Sequence, residues 1–143
     1  MNNQKLEAKV KSICSSEAYL KGYISMVNVL LALELLTKKD YEDWRRGKVP
    51  YLEKVCHTNL SKLSFIQKCV DSYAREHKYK ASQTVYQTWG KQKKLLIFSK
   101  SGTKNIEEHY ARHYVDSLRI KELKEKKTKN DNSRVESNQI VAE

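Results

Sequence analysis

From Leu52 to His77 the residues Leu52, Cys56, Asn59 or Leu60, Leu63, Ile66, Val70, Tyr73 and His77 return every three or four positions. A strand buries alternate residues. A spacing of three to four held over this length therefore requires an amphipathic helix, the one regular element that brings such positions onto one side. A long one-sided helix must bury its stripe against other elements, which commits the chain to helix packing around a core. The only proline, Pro50, stands where it presets the first turn of that helix at no cost in hydrogen bonding. The weak helix formers His57-Thr58-Asn59 offer Asn59 as a second cap, so the stretch reads as one long helix or two nearly collinear ones.

The remaining elements follow by the same reasoning. Leu6, Val10, Ile13, Cys14 and Ala18 predict a helix over 3–21, ended by Gly22. Ser25 caps a second helix running to Leu36, whose Val27, Leu30, Leu31, Ala32 and Leu35 leave little polar face. Thr37, with Asp40 three residues on, opens a third helix at once; it runs through Tyr41 and Trp44 and closes at Gly47. From Lys78 the texture changes. "SQTVYQTW", "GKQKK" and "LLIFS" read as a β-hairpin over 83–99, with a helix over its first half left open because Ser82 can cap one. Ile106, His109, Tyr110, His113 and Tyr114 predict a last core helix, with Asn105 and Glu108 as a capping box. The segment 128–143 has almost no apolar content and is expected to be a disordered tail. The expected fold class is therefore mainly α. A single helical domain over 1–127 holds a helix-turn-helix-like pair and a small β-hairpin.

Charge narrows the function. The 143 residues carry a net +11, and residues 1–115 hold 21 basic against 11 acidic groups, so the excess lies in the folded part rather than in the tail. A basic body attracts polyanions. Cys14, Cys56 and Cys69 lack C-x-x-C spacing and are odd in number, which suits buried thiols in a reducing cytoplasm. No leader sequence is visible, and the most apolar run, Met26 to Leu36, is too short for a membrane.

Between Lys78 and Ile106 there is no acidic residue, whereas Lys78, Lys80, Lys91, Lys93, Lys94, Lys100 and Lys104 lie among Tyr79, Tyr86, Trp89 and Phe98. Cations for phosphates and flat rings for bases are what single-stranded recognition uses, and a basic hairpin tip also suits a duplex. The bland reading makes the rings core and the lysines a solvated rim. Ser99, Lys100, Ser101 and Gly102 precede a helix start, where free amides favour an anion, although the P-loop spacing is missing. On the third helix and just after it, Lys38, Lys39, Arg45, Arg46 and Lys48 have the proportions of a recognition element, with Trp44 as its anchor. Asp40, Glu42 and Asp43 on the same helix oppose that reading, and an ordinary helical hairpin with internal ion pairs is the alternative. His109 and His113 stand four apart as zinc pairs do, but Tyr110 replaces the glutamate of a metalloprotease motif. Cys56 and His57 are adjacent and point apart, which excludes a thiol dyad.

The blocks "DWRRGKVPYLE", "NLSKL", "WG", "FSKSG" and "IEEHYARHYV" are, in this order, similar to a family of short bacterial proteins; the resemblance covers about Tyr23 to Val115 and implies no activity, ligand or catalytic residue. The Trp-Arg-x-Gly-x-x-Pro stretch also resembles that of excisionase-type winged DNA binders, although a long helix rather than a wing follows Pro50 here. The expectation is a non-enzymatic nucleic-acid-binding protein of regulatory type, with DNA as partner, no cofactor, no metal and no membrane contact; a homodimer is left open. Its contacts are expected from Lys38, Lys39, Arg45, Arg46, Lys48, Lys91, Lys93, Lys94, Ser99, Lys100, Ser101, Gly102 and Lys104. An interaction module for an acidic protein is the alternative, and a metal-dependent hydrolase using His109 and His113 the remote one.

Overall fold

Leu6, Val10, Cys14 and Ala18 repeat every four residues and are the buried positions of α1 (Asn3–Lys21), in a computed structural model that describes residues 2–127. Asn2 caps this helix by accepting from the Lys5 amide at 2.8 Å, and Gly22, at φ 81°, ends it. A short strand, β1 (Tyr23–Ser25), follows. Ser25 then does what a cap must, accepting from the Asn28 amide at 3.1 Å to start α2 (Met26–Ala32).

α2 stops four residues before the expected Leu36. The amide of Leu35 donates to Leu30 and that of Glu34 to Leu31, a helix-ending turn with Glu34 in the left-handed region at φ 61°. The turn drops Leu36 into the core, and Thr37 begins α3 (Lys38–Arg45) by accepting from the Asp40 amide.

Of the two readings of the stretch after Pro50, the continuous helix is not formed: the break falls at His57-Thr58-Asn59, and the first part is not an α-helix. Residues Leu52–Val55 make a single 3-10 turn, closed by the Lys54 amide on Tyr51, and its first two amides bond outward: Leu52 donates to the Ile97 carbonyl at 3.1 Å and Glu53 to Phe98 at 2.9 Å. The His57 amide donates to Leu35 at 2.7 Å. Tertiary hydrogen bonds thus take the Glu53 and His57 donors that a continuing helix would have used. Asn59 is the real cap, and α4 (Leu60–Glu76) buries Leu63, Ile66, Cys69, Val70 and Tyr73 against the rest of the molecule, with α1 as its main neighbour.

The sheet differs from expectation. β2 (Lys80–Gln83) and β3 (Arg112–Val115) join β1 in the order β1-β3-β2, all antiparallel, so that Tyr114 faces Ile24 on one side and Ala81 on the other. The last predicted helix therefore ends early: α5 (Lys104–Ala111) gives way at Arg112 to extended backbone, because β3 fills the slot between the two other strands. The Asn105 capping box is replaced by Thr103 at the cap position, with no side-chain cap bond. The hairpin predicted over 83–99 is reduced to one bridge, Gln87 to Leu95, flanked by bonds from Leu96 to Tyr86 and from Thr88 to Lys94. A helical stretch, α6, covers 117–127, and the tail expected over 128–143 lies outside the described residues.

The fold is mainly α with a small β part. One hydrophobic cluster, centred on Trp44, Phe98, Ile24, Leu30, Leu63 and Ile66, draws on the helices, β1 and the hairpin together. Each such side chain contributes roughly 1.5–3 kcal/mol on burial. Among the described residues no helix is long and apolar enough to cross a membrane.

Candidate functional site

Trp44 is fully buried on the inner side of α3, and its indole N–H donates to the Ile97 carbonyl at 2.9 Å. Its ring packs on Phe98 and Tyr86, with centroids 5.1 and 5.8 Å away. A helix held this way has its C-terminal end fixed against the hairpin. The end itself is closed by two bonds, Gly47 amide to Trp44 and Lys48 amide to Asp43, with Gly47 at φ 80°. A β-carbon at Gly47 would also lie 3.4 Å from the Thr88 methyl.

Thr88 organises the hairpin tip. Its buried hydroxyl donates to the Gln92 carbonyl at 3.1 Å and accepts from the Lys94 amide at 2.9 Å. The next residue docks the tip on α3: the Trp89 amide donates to the Arg45 carbonyl at 2.8 Å. The Arg45 guanidinium carbon then lies 5.3 Å from the Tyr86 ring centre and 5.4 Å from that of Trp89, and Arg46 lies 5.9 Å from Trp89. Arg45 is thereby held between two rings, an arrangement that favours a cation. Burial pushes the Tyr86 phenol up to about 12, so the ring is neutral beside it.

These bonds gather part of the expected site. Arg45, Arg46 and Lys48, at the end of α3, adjoin the tip that carries the exposed Lys91, Lys93 and Lys94. Lys38 stands farther along α3 and shares with Trp89 the wall of an open cavity of about 770 Å³. Lys39 is exposed beside it in the chain. Two of the opposing carboxylates already have partners, Glu42 with Arg46 at 3.8 Å and Asp40 with His57 at 3.5 Å. Among the described residues no ion pair involves Lys91, Lys93 or Lys94.

The loop of Ser99, Lys100, Ser101 and Gly102 forms a second group, with the amides of Ser99, Lys100 and Gly102 already engaged. Glu107 accepts from the Phe98 amide at 2.7 Å, the Ser99 amide at 2.8 Å and the Ser99 hydroxyl at 2.6 Å. Glu53 accepts from the Lys100 amide at 3.1 Å and from the Tyr110 hydroxyl at 2.6 Å. At the loop where the sequence reading expected a phosphate, two internal carboxylates sit at the amides. Lys104, next along, lies 4.0 Å from Glu108.

His109 and His113 do not form a pair. The first is on α5 with its Nε2 at 2.8 Å from Asp71; the second is on β3, stacked on Tyr23 and 2.8 Å from the Tyr86 hydroxyl, with burial lowering its pKa. Among the described residues no cluster of three or more His, Cys, Asp or Glu suits a metal. Asp71 also accepts from the Tyr114 hydroxyl at 2.5 Å, a polar group that sequence reasoning missed because Asp71 on α4, His109 on α5 and Tyr114 on β3 meet only in the folded chain. Cys56 donates to the Leu52 carbonyl, and burial pushes the Cys14 and Cys56 thiols up to about 12, which makes them unreactive. Compared with family models, curated proteins and solved structures, the chain matches none.

Proposed function

We propose that this protein binds nucleic acid, with DNA as the polymer, through the end formed by α3 and the hairpin tip, and that it performs no chemistry there. The observation that supports the reading is the bond from the Trp89 amide to the Arg45 carbonyl, which docks the hairpin tip carrying Lys91, Lys93 and Lys94 on the C-terminal end of α3. Lys91, Lys93 and Lys94, which no carboxylate of the described residues pairs with, gain most from phosphates, by releasing condensed counterions. Three unpaired thiols suit a reducing cytoplasm as its compartment.

The test is binding of a labelled oligonucleotide, followed by anisotropy over a salt series. Log affinity should fall linearly with log salt, with a slope of about −0.9 per phosphate engaged on a duplex, or about −0.7 on a single strand. Replacing Lys91, Lys93 and Lys94 together by alanine should flatten the slope by two to three such increments. A slope unchanged by the triple substitution rules out the tip as the contact surface.

A second reading has its own support. Val85 and Leu95 are each 65% exposed and Ile97 is 43% exposed on the same hairpin, an apolar face that nucleic acid does not need. An acidic protein partner would use both. In that case Leu95→Ser would abolish capture of the partner and leave oligonucleotide affinity unchanged.

A further inference from the structure

We propose that the cavity between the α2–α3 corner and the hairpin tip holds one unpaired nucleobase, which makes the preferred ligand a single strand rather than a paired duplex. This rests on the nucleic-acid reading above and adds the strandedness and the position of the base. The cavity, about 770 Å³ and open to solvent, falls within the roughly 300–1,000 Å³ of ordinary ligand sites. Its apolar side consists of Leu31, Leu36, Tyr41 and Trp89.

Trp89 is the platform. It is 43% exposed although indole is among the costliest side chains to leave in water. Its position is set in advance, by its own amide on Arg45 and by the Tyr41 ring meeting it edge-on at 6.0 Å and 82°. A rigid, exposed ring bordered by cations is the arrangement on which bases stack without regard to sequence.

The carboxylates decide which part of a nucleotide enters. Glu34 and Glu42 also line the cavity. A phosphate would be repelled there, whereas the amino and imino N–H groups of a base find acceptors. The phosphates are left to Lys38 at the rim and to the tip lysines, while Arg46 faces Glu42 at 3.8 Å. Glu42, one of the three carboxylates on α3 that oppose phosphate binding, thus joins Glu34 as a reason the base faces inward. Glu34 further occupies a left-handed backbone position, φ 61°, where glycine is the least strained choice. A strained non-glycine residue on a cavity wall fits a side chain kept for its ligand contact.

Indole fluorescence tests this, because Trp44 is buried and Trp89 is not. Short single-stranded oligodeoxycytidine should quench the Trp89 emission, and an abasic oligomer of equal length should not. Trp89→Ala should weaken the base-bearing strand by roughly 5- to 150-fold, the worth of one stacked base, and leave the abasic strand within about twofold. Glu34→Gly should keep or raise stability yet reduce the preference for the base-bearing over the abasic strand, a result that no purely structural role for Glu34 would give. Equal binding of both strands without quenching overturns the base pocket and leaves the polyanion reading standing. Duplex bound more tightly than single strand overturns it too, and quenching by deoxycytidine monophosphate as strong as by the oligomer replaces the polymer with a free nucleotide. Absence of binding to every one of these probes at low salt overturns the nucleic-acid reading itself.

Discussion

Glu107 has one carboxylate and three donors on it: the amides of Phe98 and Ser99 and the Ser99 hydroxyl. Hydrogen bonds to a charged group are worth more than neutral ones, and removing the acceptor leaves donors in a part-buried loop unsatisfied. Glu107→Ala should therefore lower stability by about 2–3 kcal/mol, read from urea unfolding, with Glu107→Gln between it and the parent. Inorganic phosphate should restore part of the loss in the alanine variant alone, because the vacated amides again need an anion. A loss below about 0.5 kcal/mol, the level of an ordinary surface change, would show that the loop holds its shape without this residue. The residue scale is where sequence reasoning had mixed success. The loop's appetite for an anion was legible in "FSKSG". That the anion is Glu107, with Glu53 beside it, was not, because nothing local ties Glu53 to a residue 47 positions away.

At the scale of elements, legibility followed locality. Caps at Ser25 and Thr37 and the ends at Gly22 and Gly47 are written within four residues and were read correctly; Asn59 was one of two open readings, and the cap at Asn105 was not formed. The 3-10 turn at Leu52–Val55, the strand Lys80–Gln83 and the strand Arg112–Val115 were missed, since each owes its form to a partner elsewhere. "KASQ" has no strand signature, and becomes a strand because β3 lies beside it. "ARHYV" continues a helical spacing, and leaves the helix because β1 and β2 need a strand between them. The junction at Gly47 is the element on which site and fold both depend. Gly47→Ala would force a β-carbon onto a left-handed backbone and toward Thr88. The expected cost is about 1–2 kcal/mol in the urea midpoint. Because the tip docks through the neighbouring Arg45 and Trp89, the same variant should blunt the lysine-dependent salt slope more than a stability-matched change in α1. Equal effects from the two would mean that the tip and α3 bind independently.

On the whole-molecule scale, the net charge of +11 acts on folding and on binding in opposite directions. Five of the ion pairs among the described residues, Lys11–Glu7, Lys21–Glu17, Arg46–Glu42, Lys104–Glu108 and Arg119–Glu122, lie within one helical turn of each other. Such pairs on a helix surface are screened by solvent and bridge no two elements. The fold therefore gains little from attraction between its charges, and the excess cations repel one another over a range of about 30 Å at 0.01 M salt, falling to about 8 Å at 0.15 M. Raising salt between those limits should move the urea midpoint upward with an unchanged m-value, since repulsion weakens while the buried core stays the same. Polyanion affinity should fall over the same interval, because counterion release is worth less in a salty medium. The two trends crossing in one preparation separate cations free for a ligand from cations the fold itself uses. A midpoint that drops with salt would mean that the lysines are engaged by carboxylates of this chain, and the binding surface would then have to be sought elsewhere.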